Sequence, residues 1–436
     1  MDSWKPILDI AITGPRFLLA WTILSALLVV YLFLKRRRGR WFLVALGSLV
    51  VGTLVGLAVC WYIQDVDNTF GEPLLFEDWF WAPAAVAGIA LAVVNLRGGR
   101  WWRTVLSALS VIVFLATATF QINAAYGLNP TIGALLDINT ASTVRVPSKG
   151  TWRALDADEP LYKSWQAPDG MPDVGLRGRT PAPIPATHSG FNARWAGLYL
   201  PPAARVKNPP LLPFVLLMMG QPGFPSPIGV GDVADAMAKK NHGLAPVILV
   251  VDQLGDPSHD PLCLDGPLGN VETYVMKDVL PWARASLPIL QDRKHWSFLG
   301  YSNGGVCASY FASKYPQDFG SFISVSGEEF QGSEKPAQVL AQFFKGNQAA
   351  YNAVMPRNIM RKHGKYADMI AVYTAGTKDP KYTAAAKESA ATARQVGMKT
   401  YFLPVPGAGH VGPAYGGGIQ EAFTVLFPYW GLAPPA

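Results

Sequence analysis

The chain is poor in charge: 15% of its 436 residues are Asp, Glu, Lys or Arg, against 50% hydrophobic. It holds three cysteines and six histidines. Three cysteines (Cys60, Cys263, Cys307) exclude a fold stapled by several disulfides, and no Cys or His spacing matches a zinc site. The formal net charge of +7 is also dilute. It divides into +3 before residue 127 (10 basic, 7 acidic) and +4 after it (27 basic, 23 acidic), which excludes the charge density of a nucleic-acid binder. The sequence therefore predicts no metal, no organic cofactor and no nucleic-acid partner.

What is abundant is apolar sequence at one end. Residues 17–34, 41–63, 79–96 and 104–120 form uncharged runs of 17 to 23 residues. About 20 helical residues cross a bilayer core, so four such runs within 120 residues predict four transmembrane helices. The first is too long, and followed by too many others, to be a cleaved signal peptide. No charged side chain interrupts a run, which favours an anchor or a lipid-contacting platform over a transporter. Gly52 and Gly56 supply one G-x-x-x-G spacing for close helix packing. "KRRRGR" (35–40) and "RGGRWWR" (97–103) are basic, while the loop 64–78 carries five acids and no base. Basic loops stay in the cytoplasm. This predicts a multi-pass plasma-membrane protein with everything after about residue 122 on the extracytoplasmic side. Cys263 and Cys307 then lie where oxidation permits a disulfide. Cys307 falls on a predicted helix, where a buried thiol is the alternative reading.

Residues 1–125 thus read as a four-span membrane domain. Residues 126–190, rich in Pro, Gly and Thr ("GRTPAPIPATHSG"), read as a connector with one or two short strands. In 191–436, short apolar runs such as "PFVLLMMG", "PVILVVDQ", "WSFLGYS", "SFISVSG" and "MIAVYTAG" alternate with helical segments. That alternation predicts an α/β domain with a mostly parallel sheet buried on both faces.

"GYSNGG" (300–305) lies where one of these strands meets a helix. The five-letter pattern G-x-S-x-G arises easily by chance in a chain with 42 glycines, so its context decides. A strand, a sharp turn and a helix are what an exposed nucleophilic serine needs, and "SFLG" and "GVCASYFASKY" provide them around Ser302. A serine nucleophile requires a base, and the base an orienting acid. Only His363 and His410 follow Ser302; His363 sits in the basic stretch "RNIMRKHGKY", and His410 in "PGAGHVGP" after the last predicted strand. His410 is the expected base. Asp379, in "AGTKDPKY" past a strand end, is the expected acid, with Glu328 or Glu329 of "SGEEF" as substitutes. Two backbone N–H groups must hold the oxyanion. Asn303 follows the nucleophile, and Gln221 follows the strand "PFVLLMMG"; Pro222 has no N–H to offer.

These features ("GLYLPP", "LLMMGQPG", "VETYVMKDVLPW", "LGYSNGG" and "GAGH") resemble the putative-esterase branch of the α/β-hydrolases, which includes antigen 85 mycolyltransferases, esterase D-like enzymes and enterochelin esterases. The resemblance spans about residues 190–430 and implies the same five residues in the same roles. One departure is a basic and aromatic insertion at 330–366, where related folds cap the active site. Its Phe330, Phe343, Phe344 and Tyr351 read either as an acyl-pocket lining or as core. The expected function is a membrane-anchored serine esterase or acyltransferase acting on lipid-linked or envelope esters, acylated glycolipids or aminoacyl phospholipids. The alternatives are a non-catalytic envelope protein using the hydrolase fold as a binding scaffold, and a transporter with an accessory outer domain.

Overall fold

A computed structural model describes residues 4–34, 39–67, 73–96, 101–127, 129–136, 138, 140–155 and 159–435. The basic stretches 35–38 and 97–100, and part of the acidic loop, lie outside the described residues. The chain divides into two compact units, Met1–Thr140 and Ala141–Ala436.

In the first unit, α1 (Pro15–Phe33), α2 (Gly39–Trp61), α3 (Phe76–Asn95) and α4 (Trp101–Tyr126) are helices long and apolar enough to cross a membrane. Their contacts use small residues. A Cβ on Gly52 would lie 2.6 Å from Ala87 Cα, and one on Gly56 2.4 Å from Pro83 Cα, so α2 and α3 touch backbone to backbone. Large side chains such as Leu27, Leu43, Leu54 and Ile112 point outward. The C-terminal turn of α1, with its orphan carbonyls, is closed by a charge. Arg103 donates to Leu32 O (2.9 Å), Leu34 O (3.2 Å) and Tyr31 O (3.3 Å), and its Nε donates to Asn95 Oδ1 (2.9 Å).

The second unit is built on an eight-stranded sheet: β1 (Leu176–Arg179), β2 (Gly197–Leu200), β3 (Phe214–Met218), β4 (Val247–Val251), β5 (Trp296–Tyr301), β6 (Ser321–Val325), β7 (Ile370–Gly376) and β8 (Lys399–Val405). The spatial order is β1-β2-β4-β3-β5-β6-β7-β8, with β1 and β2 antiparallel to their neighbours and all other pairs parallel. Every residue of β3, β4, β6 and β7 is buried, as a parallel sheet covered on both faces requires. The edges differ: β8 is half-exposed and carries Lys399 and Pro404, which discourage further pairing. β1 lies inside the Pro/Gly-rich stretch; "LRGR" has no strand pattern and gains its form from pairing with β2.

Helices α5 (Ile228–Lys240), α6 (Asn303–Lys314), α10 (Pro380–Gln395) and α11 (Pro413–Tyr429) occur in this unit, with α6 directly following β5. Between β6 and β7 the insertion folds into α7 (Pro336–Gln342), α8 (Gln348–Val354) and α9 (Pro356–His363). Its aromatics pack on one another: Tyr351 is 2% exposed, stacks on Phe344 at 4.8 Å and donates its hydroxyl to Gln331 O. Of the two readings of these rings, core describes Tyr351. Cys263 and Cys307 are joined by a disulfide with a Cα–Cα distance of 5.7 Å, within the usual range. It fastens the loop after β4 to α6. Cys60 is a free, buried thiol.

Candidate active site

Ser302 joins β5 to α6 with φ 54° and ψ −117°, a backbone that a non-glycine residue adopts only under strain. The turn closes because two neighbours lack side chains. A Cβ on Gly300 would lie 1.7 Å from Gly304 O, and one on Gly304 would lie 2.1 Å from Met218 O. The result places Ser302 at the N-terminus of α6, where its side chain makes no capping hydrogen bond to the helix.

Ser302 Oγ lies 3.0 Å from His410 Nε2, and His410 Nδ1 lies 3.0 Å from Asp379 Oδ2. A carboxylate only accepts, so Nδ1 carries the proton and Nε2 is left to accept from the serine hydroxyl. Asp379 sits just past β7 as the N-cap of α10; its Oδ1 accepts from Tyr382 N at 3.2 Å, and the residue is 8% exposed. His410 follows β8. Two tyrosines hold its ring: Tyr382 packs at 4.0 Å between centroids, and Tyr301 stacks at 5.7 Å while donating its hydroxyl to His410 O at 2.8 Å. Burial pushes the Tyr301 hydroxyl far above its ordinary pKa, so it remains a donor.

The structure thus brings together Ser302, His410 and Asp379 from three separate strand ends. The substitutes for the acid lie elsewhere: Glu329 pairs with Arg357, and a Glu328 oxygen accepts from Gly332 N at 3.1 Å. His363 ends α9 in the open, with its ring 4.3 Å from Tyr366. Asn303 is the first residue of α6 and is buried. The chain after β3 passes close by, since a Cβ on Gly220 would lie 3.2 Å from Ser302 Cβ; Gln221 comes next, its side chain donating to Pro257 O at 3.1 Å. A cavity of about 250 Å³ is lined by Glu329, Ser333, Lys381, Tyr382, Ala384, Ala385 and Glu388 and includes neither Ser302 nor His410. Among the described residues no group of three or more His, Cys, Asp or Glu side chains could hold a metal.

Tyr301, Tyr382, Gln253 and Asp260 were not singled out in the sequence. Tyr301 is the variable position of the serine motif, and Tyr382 lies one turn from Asp379; nothing in the letters marks Gln253 or Asp260. Asp260 Oδ1 accepts from Asn303 Nδ2 at 2.9 Å, and burial holds its carboxyl above the usual range.

Residues 194–411 match the profile of the family described as Putative esterase. The chain belongs to that family. The matched half of the chain begins just before β2 and ends one residue beyond His410. The chain is also 28% identical, over 425 residues, to an uncharacterized protein of Corynebacterium glutamicum; the match covers 94% of each and so reaches into the first unit. Among solved structures, it is similar to an S-formylglutathione hydrolase from Agrobacterium tumefaciens (14% identity, 59% of this chain, 97% of that one, TM-score 0.46). An enterobactin esterase from Shigella flexneri is similar over 62% of each chain (14% identity, TM-score 0.42). This esterase-family chain pairs an α/β-hydrolase fold with four long apolar helices.

Proposed function

We propose that the protein is a serine esterase or acyltransferase whose four N-terminal helices span the plasma membrane and hold the catalytic unit on the extracytoplasmic side. The observation that carries the catalytic reading is the Ser302–His410–Asp379 hydrogen-bonded chain, with a 3.0 Å step at each link. Ser302 Oγ attacks an ester carbonyl as His410 Nε2 takes its proton, and Asp379 holds the imidazole through Nδ1 and stabilises its positive charge. The tetrahedral oxyanion is received by the backbone N–H groups of Asn303 and Gln221. His410 then returns the proton to the leaving alcohol, which departs and leaves an acyl-Ser302. Water resolves the acyl-enzyme in hydrolysis; a sugar or lipid hydroxyl resolves it in transfer.

Two features support the extracytoplasmic placement: the basic loops flanking the apolar runs, and the Cys263–Cys307 disulfide, a bond that persists in oxidising compartments. Tethering to a bilayer favours substrates that reside there, namely lipid-linked or cell-envelope esters such as acylated glycolipids or aminoacyl phospholipids.

The test is fluorophosphonate labelling of the full-length protein in lipid nanodiscs, followed by peptide mass spectrometry, with Ser302→Ala as control. Labelling confined to the Ser302 peptide is the expected outcome. A folded protein that takes no label at Ser302 would leave the scaffold reading in its place. Panels of lipid and glycolipid esters, with and without alcohol acceptors, then separate hydrolysis from transfer.

A further inference from the structure

Asn303 is gripped at both ends of its side chain. Its Nδ2 donates to Asp260 Oδ1 at 2.9 Å, and its Oδ1 accepts from Gln253 Nε2 at 3.4 Å. The same Gln253 Nε2 donates to Met219 O at 2.5 Å. Gln253 is 2% exposed and lies two residues beyond β4. One buried amide therefore joins the chain leaving β3, which runs on through Gly220 to Gln221, to the chain just past Ser302. Asp260 is fixed in turn. Its Oδ1 also accepts from Leu262 N at 2.9 Å, and the disulfide at Cys263 clamps the same loop to α6 at Cys307, one turn beyond Asn303. An apolar side chain at 303 would fill the site without the desolvation cost of an amide. Packing alone does not account for the arrangement.

Building on the reading of Ser302 as nucleophile, we propose that Gln253 and Asp260 are positioning residues of the oxyanion hole. Acting through the Asn303 side chain, they set the spacing between the Asn303 and Gln221 backbone N–H groups. Oxyanion donors act over a window of about 2.7–3.1 Å, and a misplacement of about 1 Å can cost about 10²-fold in rate. Charge on the carbonyl oxygen is larger in the transition state than in the bound ester. A hole that is too wide therefore lowers kcat and leaves KM nearly unchanged.

The experiment uses the full-length protein in nanodiscs, p-nitrophenyl butyrate as the probe ester, and active sites counted by end-point fluorophosphonate labelling. Gln253→Ala, Asp260→Ala and Asn303→Ala are each expected to lower kcat per labelled site about 10- to 100-fold, with KM within about twofold. Asp260→Asn keeps an oxygen that accepts from the Asn303 amide, and is expected to stay within about threefold of wild type. Because the effect passes through one side chain, Asp260→Ala should add little in an Asn303→Ala background. Three results overturn the proposal: a kcat per labelled site that matches wild type in Gln253→Ala and Asp260→Ala, a loss in Asp260→Ala that resides in KM, or a full additional loss in the Asn303→Ala background. The last two would mean that Asp260 acts by a route other than the Asn303 side chain. Failure of the catalytic reading looks different, since wild type would then neither hydrolyse the probe nor take label at Ser302.

Discussion

The two units bury different mixtures of residue. In the second, the interior is Leu216, Leu217, Leu249, Val250, Phe298, Ile323 and their like, all inaccessible. In the first, a few large side chains such as Leu32, Leu91 and Phe114 are buried, but the buried positions on α2 are Ala45, Gly52, Gly56 and Cys60, those on α4 include Ser107, Ser110, Thr117 and Asn123, and many leucines and valines lie on the outside. Burying apolar surface stabilises a fold only when the alternative is water. In an apolar solvent, close backbone contact and interhelical hydrogen bonds are what hold helices together, and leucines turned outward with glycine and hydroxyl groups turned inward fit that setting. Ser25 and Thr117, 2.8 Å apart on α1 and α4, make one such bond. The same chain thus shows two burial patterns, and the difference supports the membrane reading more directly than helix length does.

The largest effect belongs to chemistry rather than to packing in either unit. Ser302→Ala should abolish ester hydrolysis, by about 10⁶-fold in kcat, while the melting temperature of the protein barely moves; calorimetry beside the activity assay reads both. Next in size is a paired leucine experiment that addresses the contrast itself. Leu216→Ala in the buried β3 should cost about 2–5 kcal/mol. Leu54→Ala on α2, where the residue is 60% exposed, should stay within about 0.5 kcal/mol. Equal losses in denaturant titrations of nanodisc-held protein would break the comparison. The converse change, Gly56→Leu, forces a side chain into Pro83 and should destabilise the first unit by about 1–3 kcal/mol or more, leaving Ser302 labelling by fluorophosphonate intact.

The smallest effect is a pH dependence. Glu328 is held well above the usual carboxylate range by burial first, and then by the charges of Asp260 and Glu334. A carboxyl with a raised folded pKa stabilises the fold in its protonated form. That contribution is complete below the unfolded value of about 4.3 and is lost as pH rises through the folded value. Glu328→Gln should therefore raise the melting temperature relative to wild type at pH 8, with the gain shrinking toward pH 4. A gain that grew on acidification would reverse the sign and refute the assignment.

Much of this was legible in the letters because it is local. An uncharged run sets a long apolar helix, and "FVLLM" or "VILVV" sets a strand buried on both faces whatever lies beside it. Ser302 could be read because strand, glycine-relieved turn and helix are contiguous. The meeting of His410 with Ser302 could be anticipated because His410, one of two histidines downstream, follows the last predicted strand. The Cys263–Cys307 bond was not legible, since it depends on whether the loop after β4 folds back over α6, across 44 residues. Nor was the place of β1: one or two short strands were expected in 126–190, but "LRGR" is a strand because β2 offers it partners.

By itself, the sequence determined which segments are helix, strand or apolar span, and which serine stands on an elbow, because those follow from periodicity and from sterics between neighbours. Only the tertiary structure decided what surrounds the site: the tyrosines flanking His410, 109 and 28 residues away along the chain, and the Gln253–Asn303–Asp260 bridge. Such side chains meet because the parallel sheet brings the C-terminal ends of distant strands to one end, and no local pattern records that meeting.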